Sequence, residues 1–355
     1  MTAPASNPTE KAPETKQLRK AVSDMFTTTV LTRGTTERPY CAFPTIVPDG
    51  DNILIAYKQG SGHYKDEGIT SFMRIKKDGT ILEEGLAAAV PGFNTQNAEL
   101  IALPDGSIRC YLDIQDYNQG KKRTGVVTYD YSAGKFTARE GILTDTAGLR
   151  YGYVFDAADF AGGSCMLAMT FPELASDGKQ KTVELLYSAD NGETWEDKVY
   201  LDRLTGLSLN ESSLCAVGDK LYIFCRPYSD NCCLLVLDRD FKLLKILKYD
   251  EKADGVCKIG RPKLFFRDGA LWCVLRNHKT ADAPMELMML KLDPETLVIR
   301  KQYILDDTKP SDGYYAEPYF DGDTFCVVTY KMNGAEKPDI LLLRADWKKL
   351  TADEK

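Results

Sequence analysis

Histidine is scarce in this sequence, with only His63 and His278 among 355 residues. Long hydrophobic runs are missing too, because the longest apolar stretches, such as CCLLVL and MELMML, are far too short to cross a bilayer. Basic residues do not outnumber acidic ones, and the formal net charge is −7. The sequence therefore argues against nucleic acid or a membrane surface as a partner.

Motifs for metals and cofactors are also missing. The ten cysteines form no CxxC pair and no Cys/His spacing of the zinc-binding kind, which predicts buried, reduced thiols. Neither a glycine-rich phosphate loop nor a D-x-D-x-D-G calcium loop occurs. We therefore predict no metal and no cofactor, and the sequence carries no signal for an oligomeric state.

Residues 1–24 are rich in Ala, Pro, Thr, Glu and Lys and lack the apolar centre of a secretory signal. They predict a disordered or capping lead-in, followed by a single domain over residues 25–355. Reduced thiols and the lack of a signal favour the cytoplasm. A secreted or periplasmic location would require a signal that had been removed.

Tight-turn signals recur about 50–57 residues apart, each between two β-rich runs such as NILIAYK or KLYIFCR. The turns are Asp49-Gly50, Asp105-Gly106, Gly162-Gly163, Gly218-Asp219, Asp268-Gly269 and Asp321-Gly322. This pattern predicts an all-β fold, a six-bladed β-propeller of four-stranded antiparallel blades. The β-rich run at 25–32 is predicted to close the ring by pairing with the last blade.

The most distinctive local pattern is S-x-D-x-G-x-x-W, formed by Ser188, Asp190, Gly192 and Trp195. Serine and aspartate side chains can bond to the backbone amides of a turn, and glycine supplies a positive φ. The pattern predicts a rigid hairpin turn on the outer side of a blade, with a structural role only.

Aligning the six repeats on their turns brings equivalent inner-strand positions to one mouth of the central channel. These positions are Phe43, Asn97, Tyr153, Glu211, Arg261 and Glu317. The ends of the second strands and the loops after them face the same mouth, and they add His63, Asp66, Arg226, Arg276 and His278. So many ionisable groups around one axis predict a binding or catalytic pocket.

The turn at 188–195 resembles the Asp-box of the sialidase superfamily, and the resemblance extends over most of 25–348. Asn210-Glu211 followed by Arg226 is similar to the segment in which a sialidase glutamate activates the nucleophile and an arginine binds the substrate carboxylate. The segment GYYAE, with Tyr315, resembles that of the tyrosine nucleophile. The resemblance further implies that Arg276 binds a carboxylate and that Asp66 is the acid/base residue.

One position departs from the sialidase pattern, because Ala42 stands where the first arginine of a three-arginine clamp is expected. Alanine cannot make a bidentate contact with a carboxylate, which argues against ordinary sialic acids as substrates. The chain is therefore identified as a divergent member of the superfamily, with Arg261 as the candidate replacement.

The resulting hypothesis is a sialidase-like glycoside hydrolase acting on an acidic sugar in the central funnel. The predicted catalytic residues are Tyr315, Glu211, Asp66 and His63, where either of the last two could protonate the leaving oxygen. The predicted substrate-binding residues are Arg226, Arg276, Arg261, Asn97, Glu317 and His278.

Three alternatives stay open from the sequence. Glu211 and Glu317 could act as the two carboxylates of a glycosidase. His63, Tyr315 and His278 could instead support β-elimination from a uronic acid, as in a polysaccharide lyase. A non-catalytic carbohydrate-binding propeller would need aromatic platforms and no perturbed carboxylate.

Overall fold

A computed structural model describes residues 18–63, 67–116, 118, 122–171, 174, 182–228, 231–278, 284–333 and 337–352. These residues form six β-sheets arranged as propeller blades, with strands consecutive in sequence paired antiparallel. The first strand of each blade, here called the inner strand, contacts the inner strands of most adjacent blades. The predicted six-bladed propeller of four-stranded blades is confirmed.

The first three blades are continuous in sequence. Blade 1 comprises Tyr40–Asp49, Asn52–Gly60, Ile69–Lys76 and Ile81–Ala88. Blade 2 comprises Phe93–Ala102, Ile108–Asp116, Lys122–Ser132 and Lys135–Ala138. Blade 3 comprises Tyr153–Phe160, Gly163–Met169, Val183–Ser188 and Glu196–Tyr200.

The last two blades also recruit strands from the beginning of the described chain. Blade 4 comprises Ser213–Val217, Lys220–Cys225, Cys233–Leu237 and Leu243–Lys248. Blade 5 comprises Cys257–Arg267, Ala270–His278, Met285–Leu292, Ile299–Asp306 and, as a fifth strand, Leu18–Ala21. Blade 6 comprises Glu317–Asp321, Thr324–Met332, Pro338–Asp346 and Thr27–Thr32.

The ring closes as the sequence predicts, because Thr27–Thr32 pairs antiparallel with Pro338–Asp346. The strand Leu18–Ala21 was not predicted, since it falls within the lead-in assigned to residues 1–24. It pairs in parallel with Ile299–Asp306, so the described start of the chain joins blades 5 and 6. Both added strands cover edges that would otherwise expose unpaired backbone groups.

Apolar side chains fill the spaces between the blades, in six clusters that each join two neighbouring blades. The second strand of blade 4 shows the physical reason. Leu221 and Ile223 face blade 3, whereas Tyr222 and Phe224 face blade 5. Because alternate residues point to opposite faces, a strand buried on both sides has a continuous apolar sequence.

Helices are short and peripheral among the described residues. They are the 3₁₀ turn Ser23–Met25 and the α-helices Leu201–Thr205, Glu251–Asp254 and Trp347–Thr351. Within the part of the chain that the structure describes, no helix has the length and apolarity to cross a membrane. All ten cysteines are free, and eight of them are buried, as the sequence predicts.

Candidate active site

The inner strands of blades 1, 2, 3 and 5 carry a register irregularity near their starts. Such a bulge bends the strand and redirects the side chain of the extra residue. Phe43 in blade 1 and Arg261 in blade 5 lie at these points, with φ of 55° and 25°, respectively. The bulges therefore turn selected side chains towards the channel axis.

All six blades contribute to one cavity of about 360 Å³ at a mouth of the channel. Most of its lining side chains are polar or aromatic. They are Phe43, His63, Gln96, Asn97, Arg123, Tyr153, Phe171, Asn210, Glu211, Arg226, Tyr228, Arg276, Tyr315 and Tyr330. The cavity lies at the lower end of the size range of pockets that bind small molecules.

A tyrosine–glutamate pair lies in the wall of this cavity. Tyr315 precedes the inner strand of blade 6, and its hydroxyl donates a hydrogen bond of 2.5 Å to Oε1 of Glu211. Glu211 precedes the inner strand of blade 4, and its other oxygen, Oε2, forms an ion pair with Arg226. Both Tyr315 and Glu211 are buried, with 8% and 5% exposure, so the pair is held away from bulk water.

A second guanidinium approaches the same tyrosine from blade 5. Arg276 lies 5.5 Å from the ring centroid of Tyr315. Its strand pairs with Gly260, where a Cβ atom would come within 2.4 Å of Nε of Arg276. A side chain at position 260 would displace this arginine from its present position. We call Glu211, Tyr315, Arg226 and Arg276 the cavity cluster.

Electrostatics keep Glu211 ionised and Tyr315 protonated. Burial alone would raise the pKa of Glu211, but Arg226, the hydrogen bond from Tyr315 and the charge of Arg276 bring it below its usual value. Burial, together with the charge of Glu211, raises the pKa of Tyr315 well above 10. A carboxylate acceptor beside a neutral phenol is the arrangement in which a tyrosine can be activated as a nucleophile.

A group of five charged side chains lies beneath the cavity: Glu99, Asp156, Arg261, Lys263 and Glu317. We call it the buried cluster. Arg261 forms an ion pair with Glu99, and Lys263 Nζ lies 2.8 Å from Glu99 and 3.1 Å from Asp156. Glu317 lies 3.4 Å from Lys263. Four of these residues are buried, and Arg261 has no exposed surface.

The position of the buried cluster corrects two expectations from the sequence. Arg261 and Glu317 do not line this cavity, and Glu317 instead lines a second one of about 300 Å³ together with Glu99, Asp156 and Lys263. Glu211 and Glu317 consequently do not face one cavity as a catalytic pair of carboxylates would. The bulge at Arg261 turns its side chain under the Tyr315 ring, 5.7 Å from the centroid, and not into the open cavity.

The other predicted residues divide between the cavity and the rest of the molecule. His63 and Asn97 line the cavity together with the cavity cluster. His278 does not line it, because it ends the second strand of blade 5 opposite Cys257. Asp66 lies outside the described residues.

The missing arginine leaves an aromatic corner in the cavity wall. Ala42 is fully buried, and the ring of the next residue, Phe43, occupies this corner. Its centroid lies 4.9 Å from His63, 5.2 Å from Tyr315 and 5.1 Å from Tyr330. This corner can pack against the apolar face of a ligand, but it cannot pair with a carboxylate.

Sequence reasoning missed Arg123, which supplies a third guanidinium to the cavity wall. Arg123 forms an ion pair with buried Asp113 and lies 4.5 Å from the ring centroid of Phe171. Asp113 also accepts a 2.5 Å hydrogen bond from the backbone N–H of Asn97. Arg123 is the second residue of the third strand of blade 2, just after the loop that follows the second strand. A search for basic residues around that loop would have found it.

The hairpin at 188–195 has the rigid turn that its pattern predicts. Ser188 Oγ donates to Asp190 Oδ1 at 2.8 Å, and the Asp190 carboxylate accepts the amide and hydroxyl protons of Thr194 at 2.9 and 2.6 Å. Gly192 has a φ of 76°, and Trp195 is buried against Tyr111 of blade 2. The turn joins the two outer strands of blade 3, away from the cavity.

Among the described residues, no group of three or more Asp, Glu, His and Cys side chains is arranged to hold a metal ion. Several of the side chains that line the cavity are polar or ionisable. They offer a carboxylate acceptor, a buried phenol, an imidazole and three guanidinium groups. This set can bind an anionic ligand and transfer protons at two separate points.

Comparisons with known proteins identify the fold. No protein-family model matches the chain, and no curated protein matches its sequence. A solved structure of a Dyadobacter fermentans protein of unknown function has a TM-score of 0.72 and 14% identity, covering 91% of this chain and 99% of that one.

Solved sialidase structures match as well. The Trypanosoma rangeli sialidase has a TM-score of 0.60 and 11% identity, and the NanB sialidase from Streptococcus pneumoniae has 0.63 and 10%. The alignments cover 91% and 88% of this chain, but only 59% and 69% of the two sialidase chains. The expected resemblance is thus confirmed at the level of architecture, and this chain has the six-bladed propeller fold of these sialidases.

Proposed function

We propose that this protein is a sialidase-like glycoside hydrolase that acts on an acidic sugar bound in the central cavity. The hydrogen bond between Tyr315 and ionised Glu211, with Arg226 and Arg276 beside it, carries this proposal. Phenols are weak nucleophiles, and a buried carboxylate at 2.5 Å supplies the base that a tyrosine nucleophile needs.

The reaction would proceed by double displacement. In the first step the Tyr315 oxygen bonds to the anomeric carbon and its proton passes to Glu211, while the glycosidic C–O bond breaks. The leaving oxygen takes a proton from a general acid, for which His63 and Asp66 are the candidates. In the second step, water attacks the anomeric carbon and loses a proton to that residue. The tyrosine then leaves and recovers its proton from Glu211.

The guanidinium groups favour a substrate with a carboxylate. Arg226 is held by Glu211, Arg123 by Asp113, and Arg276 lies over the Tyr315 ring. Guanidinium binds carboxylates with bidentate geometry, which makes an anionic sugar a better ligand than a neutral one. The aromatic corner at Phe43 replaces one arm of the clamp, and we therefore expect weaker binding of ordinary sialic acids than a three-arginine site gives.

The Trypanosoma rangeli sialidase has been solved with 2,3-difluorosialic acid as a covalent intermediate. The same reagent tests the proposed nucleophile here. Incubation with 2,3-difluorosialic acid and with its KDN analogue should add one glycosyl group to the intact protein, and peptide mass spectrometry should place it on Tyr315. Tyr315→Phe should stay unlabelled. Labelling of another residue would contradict the proposed mechanism.

A lyase is the second candidate, since His63 and Tyr315 line one cavity with the arginines that would neutralise a uronate. A panel of aryl ketosides of sialic acid and KDN, aryl uronides and uronate polymers separates the candidates. Release of the aryl alcohol that is lost in Glu211→Gln supports the hydrolase. An unsaturated product that absorbs in the ultraviolet indicates a lyase. Sugar binding without turnover would leave a carbohydrate-binding propeller.

A further inference from the structure

His63 lies in the cavity wall, on the loop that follows the second strand of blade 1. Contacts that fix a loop residue hold its side chain more precisely for catalysis. His63 has such contacts at its ring nitrogen, at its ring face and at its backbone. We propose that His63, positioned by Asp312, is the general acid/base residue of the reaction, an inference that rests on the hydrolase function proposed above.

Asp312 fixes the ring nitrogen. Its Oδ2 lies 3.2 Å from Nδ1 of His63 and accepts a 2.7 Å hydrogen bond from Tyr40, while Oδ1 accepts one of 2.8 Å from Tyr330. Burial alone would raise the pKa of Asp312, but the bonds from His63, Tyr40 and Tyr330 lower it to about 2. An ionised carboxylate only accepts hydrogen bonds, so Nδ1 of His63 must be the donor.

Donation from Nδ1 determines which proton can be exchanged with a ligand. In neutral imidazole one nitrogen carries a proton and the other accepts, and a partner at one nitrogen sets the role of the other. With Nδ1–H held by Asp312, the catalytic proton is the one on Nε2 of His63. Asp312 is therefore a positioning residue, because it acts through His63 and does not touch the reacting atoms.

The backbone and the ring of His63 are held as well. Lys58 has no exposed surface. Its Nζ donates a hydrogen bond of 2.7 Å to the carbonyl oxygen of His63 and one of 3.2 Å to the side-chain oxygen of Gln96. The imidazole packs on Phe43 at 4.9 Å and on Tyr40 at 5.9 Å between centroids. Among the described residues, Lys58 and Asp312 are thus charged groups that hold this residue from neighbouring elements.

Phe43 also links His63 to the proposed nucleophile. Its ring contacts the imidazole on one side and the Tyr315 ring, at 5.2 Å, on the other. A sugar over Phe43 would have Tyr315 and His63 beside the same glycosidic bond. In the first step Nε2–H of His63 gives its proton to the leaving oxygen as the C–O bond breaks. In the second step neutral Nε2 takes a proton from the attacking water.

Dependence on the leaving group tests the acid role. We would compare 4-nitrophenyl and methyl glycosides of the panel sugar that the wild type hydrolyses fastest. His63→Gln should lower kcat/KM by about 10²–10⁴-fold for the methyl glycoside, whose leaving group needs a proton, and by less than about tenfold for the 4-nitrophenyl glycoside. Asp312→Asn should also lower kcat/KM more for the methyl than for the 4-nitrophenyl glycoside, but by smaller factors than His63→Gln. Its KM should be nearly unchanged. Glu184→Gln, whose carboxylate accepts a hydrogen bond from Tyr151 outside the cavity, is the control and should keep wild-type rates.

Azide tests the base role of the same residue. Azide attacks the glycosyl–enzyme without needing deprotonation, so it should restore turnover of the 4-nitrophenyl glycoside by His63→Gln and yield a glycosyl azide. If Asp66→Asn shows the leaving-group dependence and the azide rescue, and His63→Gln shows neither, the assignment to His63 is overturned. A wild type that hydrolyses no panel sugar would overturn the hydrolase proposal itself, and the two failures are therefore distinguishable.

Nuclear magnetic resonance examines the positioning contact without any substrate. With ¹⁵N-labelled histidine in the full chain, the signals of His63 are identified by comparison with His278→Gln. Nδ1 of His63 should carry a proton in the neutral as well as in the charged imidazole, and Asp312→Asn should change the ratio of the two tautomers. A neutral imidazole of His63 protonated at Nε2 alone would contradict the role given to Asp312.

Discussion

The cavity cluster and the buried cluster both pair carboxylates with basic side chains near the channel axis. They differ in the partners of the carboxylates. In the cavity cluster, Glu211 bonds to Tyr315 and Arg226 beside a cavity of about 360 Å³. In the buried cluster, Glu99 and Glu317 pair with Arg261 and Lys263, and both glutamates line a second cavity of about 300 Å³. A tyrosine that bonds to the carboxylate thus distinguishes the first site, whereas the second balances carboxylates against cations.

The difference extends to protonation. The buried cluster has three carboxylates and two cations, so its charges balance when one carboxyl group is protonated. Burial raises the pKa of Glu317 to about 8 and also raises the pKa of Glu99, so these neighbouring carboxyl groups hold that proton near neutral pH. Glu211 is equally buried, but Arg226 and Tyr315 lower its pKa. Arg226 pairs with Glu211, whereas Arg261 and Lys263 face three carboxylates. A buried glutamate thus stays ionised where fewer carboxylates share the nearby cation.

The largest expected effect is on activity, from the cavity cluster. Glu211→Gln removes the proton acceptor of Tyr315, and we expect kcat/KM for an aryl glycoside to fall by about 10²–10⁴-fold. Glu184→Gln is the matched control, because Glu184 accepts a 2.7 Å hydrogen bond from buried Tyr151 outside the cavity. Steady-state kinetics of both variants make the comparison. Equal losses in the two would remove the distinction between the cavity and the rest of the molecule.

The next largest effect is on stability, from the buried cluster. Arg261→Met leaves Glu99 and Glu317 without their buried arginine, and we expect a loss of about 3–5 kcal/mol in the free energy of unfolding. Denaturant titration measures it. Arg226→Met should cost less, because Arg226 is partly exposed in the cavity and Glu211 keeps its hydrogen bond from Tyr315. The reverse order would show that the two clusters had been assigned the wrong roles.

The pH dependence of stability sharpens the same contrast. Glu317 keeps its proton in the folded state up to about pH 8, whereas its ordinary pKa is 4.5. The folded state therefore binds more protons between these values, and its stability should fall as pH rises through that window. The free energy of unfolding, measured at pH 5 and at pH 8.5, should fall less between these values in Glu317→Gln than in the wild type. An identical decline in both proteins would contradict the raised pKa.

The smallest expected effect comes from the outer turn at 188–195. Asp190→Ala removes the acceptor for Ser188 and Thr194, and we expect a loss of about 1 kcal/mol in stability with unchanged kinetics. Asp240→Ala is the control, since its 3.2 Å ion pair with Lys242 is exposed and such pairs contribute little. Thermal unfolding together with kinetics compares them. Lost activity in Asp190→Ala would give this turn a role beyond structure.

Several parts of the candidate site were accessible from the sequence, because they follow directly from the repeat. Aligning the blades placed Glu211 and Asn97 at inner-strand starts, and both line the cavity. The same alignment placed Arg261 and Glu317 there, but they lie beneath it. Tyr315 and Glu317 are only two residues apart, yet one faces the cavity and the other the buried cluster. A residue's position in the repeat therefore does not tell whether its side chain faces the cavity or joins the buried cluster.

Other parts of the site depend on contacts between distant segments. Asp312 reaches His63 across 249 residues of sequence. Its neighbour in the chain, Gly313, belongs to the GYYAE segment that was recognised for Tyr315, so a search for carboxylates in that segment would have found it. The sequence does not show that Tyr40, Tyr330 and His63 all contact this carboxylate, and these contacts give it a role in the site.

The sequence by itself determined the blades, their number and the closure of the ring. These features follow from tight turns and from alternation along each strand, which are local properties of the chain. Only the tertiary structure decided which charges face the cavity and which balance one another beneath it. The physical reason is that a bulge redirects single side chains at the strand starts, and the burial of each charge then depends on partners from other blades.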